Sequence, residues 1–327
     1  MKERTLRAAG FILIFVIMHS CIHSVFMRHH DLDDMGVEYE LAALSQDPDI
    51  LFIGDSRAGW GIVPEMIPGA AKVTPMGETI IQRYYRLKYL FESGARPRIV
   101  IMPFDLHTLS SKHRSYEPRQ HGNRRMEYGE AFWRTGDPRF LGAWSKSFFI
   151  YLGNGVELVQ YFTDPGGKGL NELISLRERK RYAPTPKSRQ AVIGGRPMNI
   201  PPHIVEEHEG YRPFDAVSAS YFLGMLDLCK RYNASVVLVR YPHKRVYYTL
   251  SSHYIPDQDG HYTMMESLIE GRDVLVLDYH DRYFGKPGYF KMMFHLNSRG
   301  RVVFTRELGQ DLNEMGLMDE GPRDPPS

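Results

Sequence analysis

The stretch DILFIGDSRAGWGIVPEMIPG, residues 49–69, decides the fold. Ile50, Leu51, Phe52 and Ile53 form an unbroken apolar run that stops at Gly54, Asp55 and Ser56, where the chain turns polar and small. A short run of this composition suits a strand buried on both faces, because no alternate residue is left for water. Three later stretches share the character: PRIVIMPF at 97–104, SVVLVRYP at 235–242 and DVLVLDY at 273–279. Helix-length segments lie among them. IIQRYYRLKYLFESGA (80–95) carries apolar and aromatic residues spaced for a helix against a sheet, with Gly94 as its stop. AVSASYFLGMLDLCKRYNA (216–234), YTMMESLIEGR (262–272) and the amphipathic NSRGRVVFTRELGQDLNEMG (297–316) follow. Strand–helix alternation of this kind predicts an α/β fold built on a central parallel sheet covered on both faces.

The alternation breaks between about residues 109 and 213, a long insertion rich in Arg, Gly and Pro with aromatic patches that include Trp133, Phe140 and Trp144. Insertions of this length commonly form lids or substrate walls, and such aromatic residues either stack on sugar rings or pack in a core. At the other end of the chain, Lys2, Arg4 and Arg7 precede the apolar run at 8–27, which has about the 20 residues needed to cross a bilayer. Basic residues ahead of the run place the N-terminus in the cytoplasm and the remainder outside it. A cleaved signal peptide is the rival, but no clean cleavage site follows, so residues 1–28 are read as an N-terminal transmembrane helix. The expected organisation is then an anchor at 1–28, a linker with a short helix at 29–48, an α/β domain at 49–316 and a disordered tail at 317–327.

Composition excludes several functions. The 327 residues carry a formal net charge of +2, which argues against a nucleic-acid binder. Two cysteines, Cys21 in the apolar run and Cys229 in a helical segment, provide neither a disulfide framework nor a cysteine metal site. Fourteen histidines make pairs such as His29-His30 common by chance, and no metal-binding spacing stands out; no cofactor is implied either.

In an open parallel sheet, ligands bind beyond the carboxyl ends of the strands, and Ser56 stands at such an end. Alone, Gly54-Asp55-Ser56 reads as a glycine turn with serine capping a helix. His295, in FHLN before the last helix, changes that reading, because the last parallel strand and last helix can return it to the first strand's end. A serine and a histidine there make a nucleophile and its general base. Asp105 and His107 form an Asp-x-His pair at another strand end, a second base with an orienting acid or simply a hydrogen-bonded turn. Arg57, Arg240 and His243 are expected near the same crevice, either binding an acidic sugar or substrate carboxylate or pairing with Asp55 and Asp105.

LFIGDSRAGWGIVPEMIPG, KYLFESGARPRIVIMPFD, SVVLVRYPH and FHLNSRGRVVFTREL together resemble the SGNH/GDSL hydrolase superfamily over residues 49–308, with the 109–213 insertion outside the resemblance. The resemblance is strongest to its membrane-anchored branch, with proteins of alginate O-acetylation and teichoic-acid D-alanylation. It implies a flavodoxin-like three-layer α/β/α sandwich, with Ser56 as nucleophile, His295 as base and Gly77 as an oxyanion donor beside the Ser56 amide. It also implies acyl transfer or ester hydrolysis on an extracytoplasmic polysaccharide, at the bacterial cytoplasmic membrane, with an integral membrane O-acyltransferase as partner. Two departures stand out. Met292 occupies the position, three before the histidine, where the family usually has Asp, leaving a Ser–His dyad, support from Asp278 or Asp281, or an inactive scaffold or glycan-binding subunit. The block where hydrolases carry an oxyanion-binding Asn reads Pro103-Phe104-Asp105, and a carboxylate there would repel an oxyanion unless protonated.

Overall fold

A computed structural model of the chain describes residues 35–75, 77–110, 128–136, 138, 140, 189–193, 196–200, 214–252 and 255–318. Two compact units divide the chain, residues 1–38 with 128–182 and residues 39–127 with 183–327. The second unit contains the sheet. Its elements begin within helix α1 (Met35–Gln46) and continue with strand β1 (Ile50–Ile53), helix α2 (Ser56–Gly61), β2 (Ala70–Val73), α3 (Ile80–Glu92) and β3 (Ile99–Pro103). Helix α4 (Tyr128–Thr135) belongs to the first unit. The antiparallel pair β4 (Arg189–Ile193) and β5 (Arg196–Ile200) follows, then α5 (Ala216–Arg231), β6 (Ser235–Arg240), α6 (Arg245–Ser251), α7 (Gln258–Ser267), β7 (Val274–Asp278) and α8 (Ser298–Glu314).

The main sheet is five-stranded in the order β2-β1-β3-β6-β7, and every neighbouring pair is parallel. This is the order of a flavodoxin-like doubly wound sheet, whose direction of winding reverses between the first and third strands. Successive strand residues face opposite ways. Ile50, Phe52, Ile99, Ile101, Val237 and Val239 share one core with Phe304, Leu308 and Leu312 of α8 and Ala58 of α2. Leu51, Ile53, Val100, Met102 and Leu238 point the other way and are equally buried, on the side where α5 packs on β6 and on α3. Burial on both faces is why these strands read as unbroken apolar runs.

One strand gives no such signal. β2 is only AAKV, with its residues alternating between buried and half-buried at the sheet edge. Lys72 within it closes the C-terminus of α2, its ammonium donating to the carbonyls of Gly59 and Ile62 at 3.1 and 2.9 Å.

Helix α3 starts at a reciprocal cap, in which Thr79 Oγ1 accepts from the Gln82 amide and Gln82 Oε1 accepts from the Thr79 amide. Its arginines do not face water. Arg83 and Arg86 are 2% and 1% exposed. Arg86 holds Glu78 at 2.6 Å and also binds Glu40 of α1, while Arg83 lies 3.7 Å from Glu78 and 3.5 Å from Asp55. A chain of buried ion pairs thus runs from α1 to the residue that precedes Ser56.

Among the described residues no helix is long and apolar enough to cross a membrane. The expected anchor at 1–28 and residues 29–34 of the linker lie outside those residues; the short helix expected in the linker is α1. Most of the 109–213 insertion lies outside them as well, α4 and the β4–β5 pair being its described elements. Leu317 and Met318, expected in the tail, pack on the core, and the Leu317 carbonyl accepts from Arg98 at 2.9 Å; residues 319–327 lie outside the described part.

Candidate active site

Ser56 lies three residues beyond the end of β1 and opens α2. Gly54 makes this turn possible by close approach, for a Cβ on it would stand 2.8 Å from Pro103 Cγ and 2.9 Å from Ala58 Cβ. The helix cap is Asp55 and not Ser56: Asp55 Oδ1 accepts from the Arg57 amide at 2.9 Å. Reading the serine as the cap is therefore corrected. With Asp55 in that role, the Ser56 hydroxyl has no helix to hold, and its amide is among those a first turn leaves without an intrahelical acceptor.

His295 sits on a tight loop ahead of α8. Phe290 pairs with Leu296 in an antiparallel bridge, and the His295 carbonyl accepts from the amides of Lys291 and Met292 at 2.9 and 3.3 Å. Asn297 fastens the loop from both sides. Its Oδ1 caps α8 by accepting from Arg299 and Gly300, its Nδ2 donates to Gly288 O at 2.7 Å, and its amide donates to Tyr289 O at 2.9 Å. This scaffold brings His295 Nε2 to 2.9 Å from Ser56 Oγ, across 239 residues of sequence. The ring is 8% exposed and edge-on to Phe294, and the Trp60 ring stands 6.4 Å away with the Lys291 ammonium 4.4 Å above it. For Nε2 to take the serine proton, the imidazole must be neutral with its own proton on Nδ1.

The other predicted residues are distributed differently. Asp105 lies two residues beyond β3, so it and Ser56 flank the point where the sheet reverses its winding. It does not orient His107. Asp105 Oδ1 accepts from the Tyr241 amide at 2.9 Å and Oδ2 lies 3.5 Å from the Arg57 guanidinium, whereas His107 Nε2 meets the Tyr247 hydroxyl. Of the two readings the sequence left open, the Asp105–His107 base does not form, while the turn does, the Asp105 and His107 carbonyls accepting from the Thr108 and Ser110 amides at 2.9 and 3.0 Å. Burial raises the Asp105 carboxyl to a pKa of about 6 against the opposing pull of Arg57.

Arg240 is also spoken for. Its guanidinium donates to Asp278 at 2.7 Å and to Glu266 at 2.6 Å and lies 3.8 Å over the Tyr262 ring, so it neither pairs with Asp55 or Asp105 nor offers a free cation. Asp278 in turn accepts from His280 Nδ1 at 2.7 Å, which raises the His280 pKa, so its hydrogen bonds go to His280 and Arg240, not to His295. His243 is buried and neutral, its pKa driven down to about 3 by burial with the nearby His280 adding to the effect. Of the two roles the sequence left open, Arg57 takes the pairing with Asp105, while Arg240 pairs with Asp278 and Glu266 instead and His243 is an uncharged ring. Gly77 lies on the exposed loop before α3 at φ +70°, and among the described residues no hydrogen bond joins it to Ser56 or His295. Met292 is 36% exposed. Of the insertion's aromatics, Phe140 is buried, Trp133 is exposed and Trp144 lies outside the described residues. Among the described residues no cluster of His, Cys, Asp or Glu could hold a metal ion. Trp60 and Tyr247 were missed in the sequence, and Asn297 was read only as the start of the last helix, where it caps, without its bonds to the His295 loop.

No family model and no curated protein matches the chain. Among solved structures, it is similar to a candidate acylhydrolase from Bacteroides fragilis NCTC 9343, with 11% identity, a TM-score of 0.41 and coverage of 84% of this chain and 95% of that one. It is also similar to a GDSL-like lipase from Bacteroides thetaiotaomicron VPI-5482, with 9% identity, a TM-score of 0.40 and coverage of 83% and 90%. Likeness at this level transfers no residue role, and the site stands on its own geometry.

Proposed function

We propose that this chain is a serine acyl-transfer enzyme of the SGNH/GDSL type that moves or removes O-acyl groups, acetyl foremost, on a polysaccharide. The observation that carries this reading is the 2.9 Å contact between His295 Nε2 and Ser56 Oγ beyond the carboxyl end of β1. In the reaction, Ser56 Oγ attacks the ester carbonyl while its proton passes to His295 Nε2. The Ser56 amide, at the positive end of α2, donates to the oxyanion. The tetrahedral intermediate collapses, the C–O bond to the alcohol breaks, and His295 returns the proton to the departing oxygen. Water or an acceptor hydroxyl then repeats the sequence on the acyl-serine, giving a hydrolase or a transferase respectively.

The setting is part of the proposal. The basic residues and apolar run at 2–27 support a single-pass anchor with the α/β domain outside the cytoplasm, and an integral membrane O-acyltransferase would be the partner that delivers acyl groups.

A second reading is favoured by one residue: Met292, at the usual position of the acid that supports the histidine, suits a scaffold or glycan-binding subunit that has lost its chemistry. Labelling by a fluorophosphonate separates the two. The acyl-transfer reading expects covalent modification at Ser56, and loss of labelling and of ester turnover by roughly 10³-fold or more in Ser56→Ala and His295→Gln with the fold intact. A folded wild-type protein that neither labels nor turns over any acetate ester sinks it.

A further inference from the structure

Arg57, next in sequence to Ser56, and Phe294, next to His295, both line a cavity of about 10 Å³, room for roughly one water molecule or one hydroxyl. Asp105, His107, Tyr247 and His243 complete the part of the wall that matters here. His243 is the anomaly. It is 5% exposed, and neither of its ring nitrogens has a hydrogen-bond partner. Its position is nonetheless well determined: its amide donates to the His280 carbonyl at 3.2 Å, and its ring packs against Tyr247, Tyr248 and Phe284 at centroid distances of 5.2, 6.0 and 5.7 Å. Buried polar groups left unsatisfied are rare and costly, and one that borders a cavity walled by the sequence neighbours of a reactive pair is where a ligand group gains most.

The electrostatics decide what kind of group that is. The Arg57 guanidinium is shared with Asp105 and stacks 5.5 Å over Phe294, so its charge is opposed within the wall itself. His243 is uncharged at neutral pH, because burial holds its pKa far below the solution value. A neutral imidazole offers one N–H donor and one lone pair. A carboxylate entering here would lose its hydration without meeting an unopposed cation. A hydroxyl both donates and accepts, and it is about the size of the group the cavity can hold.

We propose that this cavity is a subsite of the acyl-transfer centre that receives a single uncharged hydroxyl of the substrate, with His243 as the specificity-determining residue. That the hydroxyl belongs to an ester substrate rests on the acyl-transfer reading; that the cavity binds a hydroxyl does not.

The test uses the full-length protein and small esters that differ by at most one heavy atom. In 2-hydroxyethyl acetate the hydroxyl is on the alcohol side, in propyl glycolate it is on the acyl side, n-propyl acetate lacks it, and acetoxyacetate replaces it with a carboxylate. The wild type should prefer at least one hydroxylated ester over n-propyl acetate by about tenfold or more in kcat/KM, and His243→Phe should bring that ratio to about one. The subsite is overturned if the wild type shows no preference, as for a cavity that holds only ordered water. It is overturned equally if the preference survives in His243→Phe or if acetoxyacetate is the best substrate. A second measurement needs neither turnover nor a folded variant at 243. In Ser56→Ala protein with ¹⁵N-labelled histidine, the His243 ring nitrogens should shift on titration with a hydroxylated ester and not with n-propyl acetate. Such shifts without turnover of any ester by the wild type would keep the subsite and remove the acyl-transfer reading. Absence of shifts removes the subsite whatever the rates.

Discussion

Asp105 turns to Arg57, at 3.5 Å, and not to His107 two residues further along. The carboxyl is buried beyond β3 with the Tyr241 amide as its other donor, and burial outweighs both partners to leave its pKa at about 6. The ordinary value is 3.8. Between those two values the folded protein keeps a proton that the unfolded chain has released. Folding therefore takes up a proton in that window, and the contribution of Asp105 to stability grows as pH falls from about 6 towards 4 and is lost as pH rises through 6. Denaturant titrations of the wild type and Asp105→Asn should show a stability difference that changes by on the order of 2–3 kcal/mol between pH 4 and pH 7. A difference that stays flat across that range contradicts the assignment.

Gly54 bears on the serine by its lack of a side chain. A methyl at this position would press on Pro103 and Ala58, so Gly54→Ala must displace either β3 or the first turn of α2. Overpacking of this kind costs roughly 1–3 kcal/mol. Fluorophosphonate labelling of Ser56 should slow by more than the loss of stability explains, and Pro103→Ala in the same chain should recover part of both. Full labelling rate in Gly54→Ala would show that the turn tolerates the methyl.

Asn297 ties the His295 loop to α8. Asn297→Ala removes the helix cap and the bond to Gly288 together, and should cost about 1–2 kcal/mol by thermal or chemical unfolding. Asn297→Asp keeps the acceptor that caps the helix and loses the donor to Gly288. It should therefore retain most of the stability while turnover falls, because the loop that carries His295 is no longer fastened at that end. Equal activity in both variants and wild type would show that the loop is held elsewhere.

Arg86 neutralises carboxylates deep beneath the site. Burial raises the Glu78 pKa, and Arg86 at 2.6 Å opposes that rise. Arg86→Leu leaves Glu78 with Arg83 at 3.7 Å and should destabilise the fold by roughly 3–5 kcal/mol. Adding Glu78→Gln should return a good part of the loss, an unequal double-mutant cycle being the mark of a buried pair.

The four apolar strands, their helices and the position of Ser56 and His295 at element ends were legible in the sequence, because unbroken apolar runs report burial on both faces and Gly, Asp and Asn mark where elements stop and start. β2 was not, since four residues at a sheet edge, one of them Lys72, carry too little periodicity to stand out. Nor were the ion partners. Nothing in the sequence pointed to Glu78, Glu40 and Asp55 as partners of Arg83 and Arg86, and Arg240 was matched with Asp55 and Asp105 where the structure brings it Asp278 and Glu266 from other elements. Local pattern determines which segments are strand or helix and where their ends lie, because those depend on neighbours a few residues away. Only the tertiary structure decides which charges cancel, which imidazole faces the serine and which is left neutral beside a cavity. Those outcomes depend on burial and on partners far away in the chain, as Ser56 and His295 are from each other.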